Sequence, residues 1–288
     1  MTNLLSIRAV SRLACLTALV LSAQFVRAQE TETLPPAVEP PLDDITTREI
    51  VADRSVLKYQ PVREADIFWE KRLWRIIDTR EKMNLPFVAP ESPLFGIFVN
   101  AALKGDLRVY STEDDHFSKA LSIKDLQEKI VKRDTILTID PETGEEQIKI
   151  VENEINWENV KRYRLKESWY FDSRTGALKV RILGIAPLIN VLDNDGNFKF
   201  EQPLFWVYYP GARELLARHK VVNPAGNYAS TLSWEDWFEM RYFSSMITKE
   251  NNTLDLRLED SYTGVDLVNK AKAIEQTMFN AEHDLWQY

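Results

Sequence analysis

Three short turn motifs constrain this chain more than any other feature. Asp140-Pro-Glu-Thr-Gly144, Ser173-Arg-Thr-Gly176 and Asp193-Asn-Asp-Gly196 follow one another through its middle, each between runs rich in β-branched and aromatic residues. A glycine after Asp, Asn or Thr supplies the positive φ that a tight turn needs, and two runs joined by so short a link can pair only antiparallel. The predicted strands are residues 135–139 with 147–151, 168–172 with 178–185, and 190–192 with 197–200. In the second pair Leu178, Val180 and Ile182 alternate with Lys179 and Arg181, the period of a strand with one buried face. Residues 204–209 add an apolar strand.

On either side of this region the spacing turns helical. Ile67, Trp69, Leu73, Ile76, Ile77 and Met83 predict a long helix over 64–84, with Arg75, Asp78 and Lys82 outside, ended by Pro86, Pro90 and Pro93. A second helix runs over 94–103 to Gly105, and Ser122-Ile-Lys-Asp125 is a capping box for a third reaching about Lys132. Further helices are predicted over 157–165, 210–219, 234 to about 248, and 265 onward. The last carries Leu267, Ala271, Ile274, Met278, Ala281 and Leu285 as one straight seam. Helices flanking a hairpin-built antiparallel sheet make the fold class α+β. One domain over 48–288 is expected, divisible into a helical part, 48–133, and a mixed part, 134–288.

The first 28 residues read as a cleavable secretory signal: Arg8 and Arg12, an apolar run over 13–21, and Val26-Arg27-Ala28 before Gln29. That run is much shorter than the roughly 20 residues a membrane span needs. Arg12, three residues before Cys15, occupies a position where a lipoprotein signal has an aliphatic residue. Residues 29–47, with Pro35, Pro36, Pro40 and Pro41 among acidic residues, read as an extended tether. Cys15 is the only cysteine, so after cleavage at Ala28 neither a disulfide nor a thiolate remains, and packing must hold the fold. The net charge is -8, and removal of Arg8, Arg12 and Arg27 brings it to -11. Such a balance speaks against nucleic acid or anionic lipid as a partner.

Chemical motifs are sparse. The nine glycines are scattered singly, with neither a phosphate-binding loop nor a Gly-x-Ser-x-Gly elbow, and His116, His219 and His283 form no ligand pair. Glu113-Asp-Asp-His116 has ligand-like residue types, but consecutive residues do not converge on one ion, and it reads as a solvated loop. Asp193-Asn-Asp-Gly-Asn197 resembles the opening of a calcium loop, yet the twelfth position is Leu204, so the shell stays open. Lys161 to Lys166 around Tyr163, flanked by Trp157 and Trp169, has the residue types of a single-strand nucleic-acid site. The acidic balance favours a half-exposed helix face instead. No catalytic residue, cofactor or metal site is predicted.

Surfaces remain. Trp234, Trp237, Phe238, Met240, Tyr242, Phe243, Met246 and Ile247 leave their predicted helix little polar face. Such a helix is either central to its own domain or buried against another subunit. Trp234, Trp237, Phe238, Arg241 and Phe243 are the candidate partner-interface residues. If they serve that role, Arg241→Glu dissolves the complex and leaves the fold intact.

Four segments in order carry a family resemblance: Trp69-Glu-Lys-Arg-Leu-Trp-Arg-Ile-Ile-Asp78 running on to Arg80-Glu-Lys-Met-Asn84 and Pro86; Arg181-Ile-Leu-Gly-Ile-Ala-Pro-Leu188; Leu204-Phe-Trp-Val-Tyr-Tyr-Pro210; and Phe238-Glu-Met-Arg-Tyr-Phe-Ser-Ser245. They resemble the GldN/PorN family of gliding-motility and type IX secretion proteins from about Arg48 onward, least well beyond Val265. The resemblance implies a non-enzymatic periplasmic ring subunit. Its implied partners are an outer-membrane lipoprotein of the GldK/PorK type, further copies of itself, and the periplasmic part of the GldM/PorM-type inner-membrane motor protein. It brings no catalytic residues. A periplasmic hydrolase or glycan-binding module is the competing reading, and it requires two facing carboxylates in a cleft or an exposed tryptophan platform.

Overall fold

The computed structural model describes residues 44–139, 146–155, 157–192, 197–285. The signal at 1–28, most of the tether, and the turns at 140–145 and 193–196 lie outside the described residues. Residues 48–288 form one compact unit.

Its frame is a seven-stranded antiparallel sheet: β1 (Ile67–Asp78), β2 (Val109–Tyr110), β5 (Val160–Asp172), β6 (Ala177–Leu192), β7 (Phe198–Pro203), β8 (Trp206–Tyr208) and β9 (Met246–Glu250). The order is β2-β8-β6-β5-β1-β9, with β7 also paired to β6. A separate two-stranded ribbon joins β3 (Val131–Ile139) to β4 (Glu146–Glu154). The helices are α1 (Leu94–Lys104), α2 (Ile123–Ile130), α3 (Tyr209–Ala217), α4 (Trp234–Glu239) and α5 (Gly264–Leu285). The α+β reading therefore holds, and all three predicted pairings are present.

Local signals explain the elements that were legible. Asp125 N–H donates to Ser122 Oγ at 3.2 Å and Ser122 N–H to Asp125 Oδ2 at 3.3 Å, closing the box that starts α2. Gly105 takes φ 86° after α1, the left-handed stop that a side group disfavours. At the β5–β6 turn Gly176 has φ 60° and donates to Asp172 O at 2.8 Å, while Asp172 accepts from Arg174 N–H and Lys179 Nζ.

Three predicted helices are corrected. Residues 64–84 hold a turn of 3-10 helix at Glu64–Asp66, then β1, the strand between β5 and β9, and then the start of a second 3-10 segment, Lys82–Val88. Trp69, Leu73, Arg75 and Ile77 share one face of it and Trp74 and Ile76 the other. From Leu73 to Ile77 both faces are covered, so apolar residues fall on both and imitate helical spacing. Residues 157–165 begin with a 3-10 turn at Trp157–Asn159 and enter β5, where Tyr163, Leu165, Glu167 and Trp169 alternate with Arg162, Arg164, Lys166 and Ser168. The helix from Trp234 ends at Glu239, and Met246 opens β9. The part 48–133 is accordingly not a helical half, since β1 lies inside the sheet.

One face of the sheet carries the helices. Ile77, Tyr163, Leu165, Ile182, Ile185 and Val207 meet Phe95 and Phe98 of α1, Leu216 of α3, and Trp234 and Phe238 of α4 in the main core. Ala271, Ile274 and Met278 of α5 pack on Leu73 and Ile247 with Trp69, Trp169 and Leu267 at the margin, so the predicted seam docks on the domain's own sheet from Leu267 to Met278. The other face carries a smaller cluster of Trp74, Ala186 and Trp206 under Tyr110 and Phe117. Among the described residues no helix is long and apolar enough to cross a membrane.

Candidate functional site

The segment expected to form an interface turns inward. Trp234, Trp237, Phe238 and Phe243 are 0%, 4%, 1% and 7% exposed within the protein's own core. Phe87 meets Trp234 edge-on at 5.0 Å between centroids, and Phe238 meets Tyr209 at 5.7 Å. These four residues are occupied by intramolecular packing, the alternative that the sequence left open.

Arg241 is different. Tyr242 N–H donates to Trp237 O at 3.0 Å and Arg241 N–H to Phe238 O at 3.1 Å, with the Trp237 and Tyr242 rings 5.6 Å apart. That is a Schellman stop to α4, and its left-handed position, φ 55°, is taken by Arg241 where glycine is usual. The conformation costs about 1 kcal/mol, and the guanidinium explains it. Arg241 Nη1 donates to Glu167 Oε1 at 2.8 Å, and Glu167 is fully buried. Trp169 Nε1 donates to Glu167 Oε2 at 2.9 Å, while Arg75 Nε stands 3.3 Å from the same oxygen and Arg75 Nη1 donates to Glu275 of α5 at 2.9 Å. One carboxylate thus ties β1, β5 and the α4–β9 turn together, with Arg75 extending the tie to α5.

The opposite face holds a cleft of about 370 Å³, within the range of ligand pockets. Its walls are Trp74 of β1, the loop from Thr112 to His116, Arg164 of β5, Pro203 and Trp206, Thr248 and Lys249 of β9, and Asp255 and Arg257. The ligand-like cluster of the sequence lies here, and its carboxylates have partners. Glu113 pairs with Lys119 at 3.2 Å, and Asp114 accepts from the Ser118 hydroxyl. Asp115 accepts from Trp74 Nε1 at 2.8 Å and stands 3.3 Å from Lys166 Nζ. Asp255 pairs with Lys249 at 2.5 Å.

Lys166 is buried between the Trp74 and Phe117 rings, each 5.6 Å from Nζ, and donates to Asp115 O at 2.6 Å. Burial draws its ammonium below the ordinary lysine value, and Asp115 opposes that shift. Phe117 itself covers Gly184, where a Cβ would lie 2.5 Å from the ring. Among the described residues no group of three or more His, Cys, Asp or Glu residues is placed to hold a metal ion. The calcium-like segment lies partly outside the described residues. Trp74 and Trp206, 7% and 3% exposed, are walls rather than a platform.

Sequence reasoning missed the Glu167 hub and the cleft's arginines. Alternation of basic and apolar residues along 162–169 was the available signal. It was masked by reading that stretch with a helical period.

A comparison with curated proteins finds no match. The profile of a family described as gliding motility associated protein GldN matches residues 62–287, a span that includes every strand of the main sheet and all five helices. The protein therefore belongs to the GldN family of gliding motility associated proteins.

Proposed function

We propose that this protein is a non-enzymatic structural subunit of the gliding-motility and type IX protein-secretion machinery. It works in the periplasm, at the inner face of the outer membrane. An outer-membrane lipoprotein of the GldK/PorK type holds it there. With that partner and further copies of itself it builds a ring, which meets the periplasmic part of the GldM/PorM-type motor protein. Family membership over residues 62–287 is the observation that carries this reading. The secretory signal read at residues 1–28 and the acidic, thiol-free sequence after it also support it.

Gentle detergent extraction of the native membrane, affinity capture of the full-length protein and electron microscopy of the eluate test the proposal. Ring particles containing the lipoprotein are the expected result. Elution as a free monomer, with neither lipoprotein nor ring particles, would reject it.

A further inference from the structure

We propose that the cleft on the sheet face away from the helices binds a carboxylate group borne on a polypeptide, received between the guanidinium groups of Arg164 and Arg257. The carboxylates of the cleft all have partners within the protein, as described above. These two arginines have no ion pair among the described residues. Arg164 projects from the interior of β5, opposite Ile76 on one side and Ala186 on the other, and is only half-exposed. A guanidinium loses little by facing water on a surface. Held in a cleft without an ion-pair partner and near a second cation, it carries a cost that a ligand can remove.

Two effects support a pair that is close and uncompensated. Burial and then the positive charge of Arg257 draw the Arg164 guanidinium down to about 10, despite its reputation as a permanent cation. The carboxylates that oppose this shift, Glu259 foremost, act through space without an ion pair.

The ligand's chemistry follows from the walls. Guanidinium forks match the planar oxygens of a carboxylate and bind them bidentately. The cleft's own charges are Arg164, Lys249 and Arg257 against Glu113, Asp114, Asp115 and Asp255. That surplus of negative charge repels a phosphate dianion more than a single carboxylate. A volume of about 370 Å³ is far more than one carboxylate fills, and Trp74, Pro203 and Trp206 offer apolar surface to what carries it. A glutamate or aspartate residue of a protein partner, or the partner's terminal carboxylate, meets these conditions.

The test titrates the full-length protein with acetyl-Gly-Glu-Gly-amide, its glutamine counterpart, free acetate and inorganic phosphate. Arginine Nε–H NMR signals and the thermal midpoint are followed, and the titrations are repeated with Arg164→Gln and Arg257→Gln. The glutamate peptide should give a saturable response, the glutamine peptide none, and acetate and phosphate weaker ones. Either substitution should weaken peptide binding tenfold or more, since each removes charged hydrogen bonds to the carboxylate. Without ligand, Arg164→Gln should melt at or above the temperature of the parent, because an uncompensated charge has been removed.

A fall of several degrees on that substitution would mean an internal partner for Arg164 and would overturn the proposal. So would no saturation, an equal response to the glutamine peptide, tighter binding of phosphate or acetate, or binding that survives in the exposed Arg257→Gln variant.

Discussion

Arg241 accepts a left-handed backbone so that its guanidinium can reach Glu167. Glu167 has no exposure and depends on Arg241, Arg75 and the Trp169 indole for compensation. Arg241→Glu therefore does not separate assembly from folding, as it would on a surface helix. It sets a second carboxylate beside a buried one. We expect about 3–5 kcal/mol of destabilisation by denaturant unfolding, with part recovered on adding Glu167→Gln. Unchanged stability of the single variant would remove Glu167 from its place as a hub. Nothing in the sequence joins positions 75, 167 and 241. The fold brings them together, which is why this network was not legible while the Ser122 cap was.

Among the elements, the legible ones are those that local chemistry completes. A hairpin is closed by its own turn residues and a helix cap by a residue three positions away, so three pairings and the start of α2 could be read directly. Elements whose character depends on both neighbours were misread. β1 has apolar residues on both faces because helices cover one and the Phe117 loop the other, and this erased its period of two. α4 stops where an arginine takes the role of glycine, so no composition signal marked its end. The Phe117 loop gives a test at this scale. Gly184→Ala places a methyl group against Phe117 and within 3.1 Å of Trp206. It should cost about 1–3 kcal/mol, and Phe117→Leu should recover part of that by opening space. If Gly184→Ala unfolds at the parent's denaturant concentration, the loop does not clamp the sheet.

For the unit as a whole, three phenols set the alkaline limit. Burial, before any other cause, raises the hydroxyls of Tyr59, Tyr163 and Tyr209 above the ordinary tyrosine value. The unfolded protein releases those protons from about pH 10, while the folded one keeps them. Above that pH the folded state binds more protons, so stability falls as pH rises and is unaffected by these groups below it. Thermal midpoints should hold to about pH 9 and then drop, with tyrosinate absorbance rising together with unfolding. Ionisation of all ten tyrosines in a still-folded protein would contradict this.

The position of β1 also sets a timetable. Glu70 of β1 bonds to a residue 98 positions later on β5, and Trp74 to one 174 positions later on β9. Loop-closure entropy on that scale must be met before the sheet returns any of it, which places folding in the slow, milliseconds-to-seconds class. During synthesis one edge of β1 waits for β5, ending at Asp172, and the other for β9, ending at Glu250, a long interval in which a holding chaperone has something to bind.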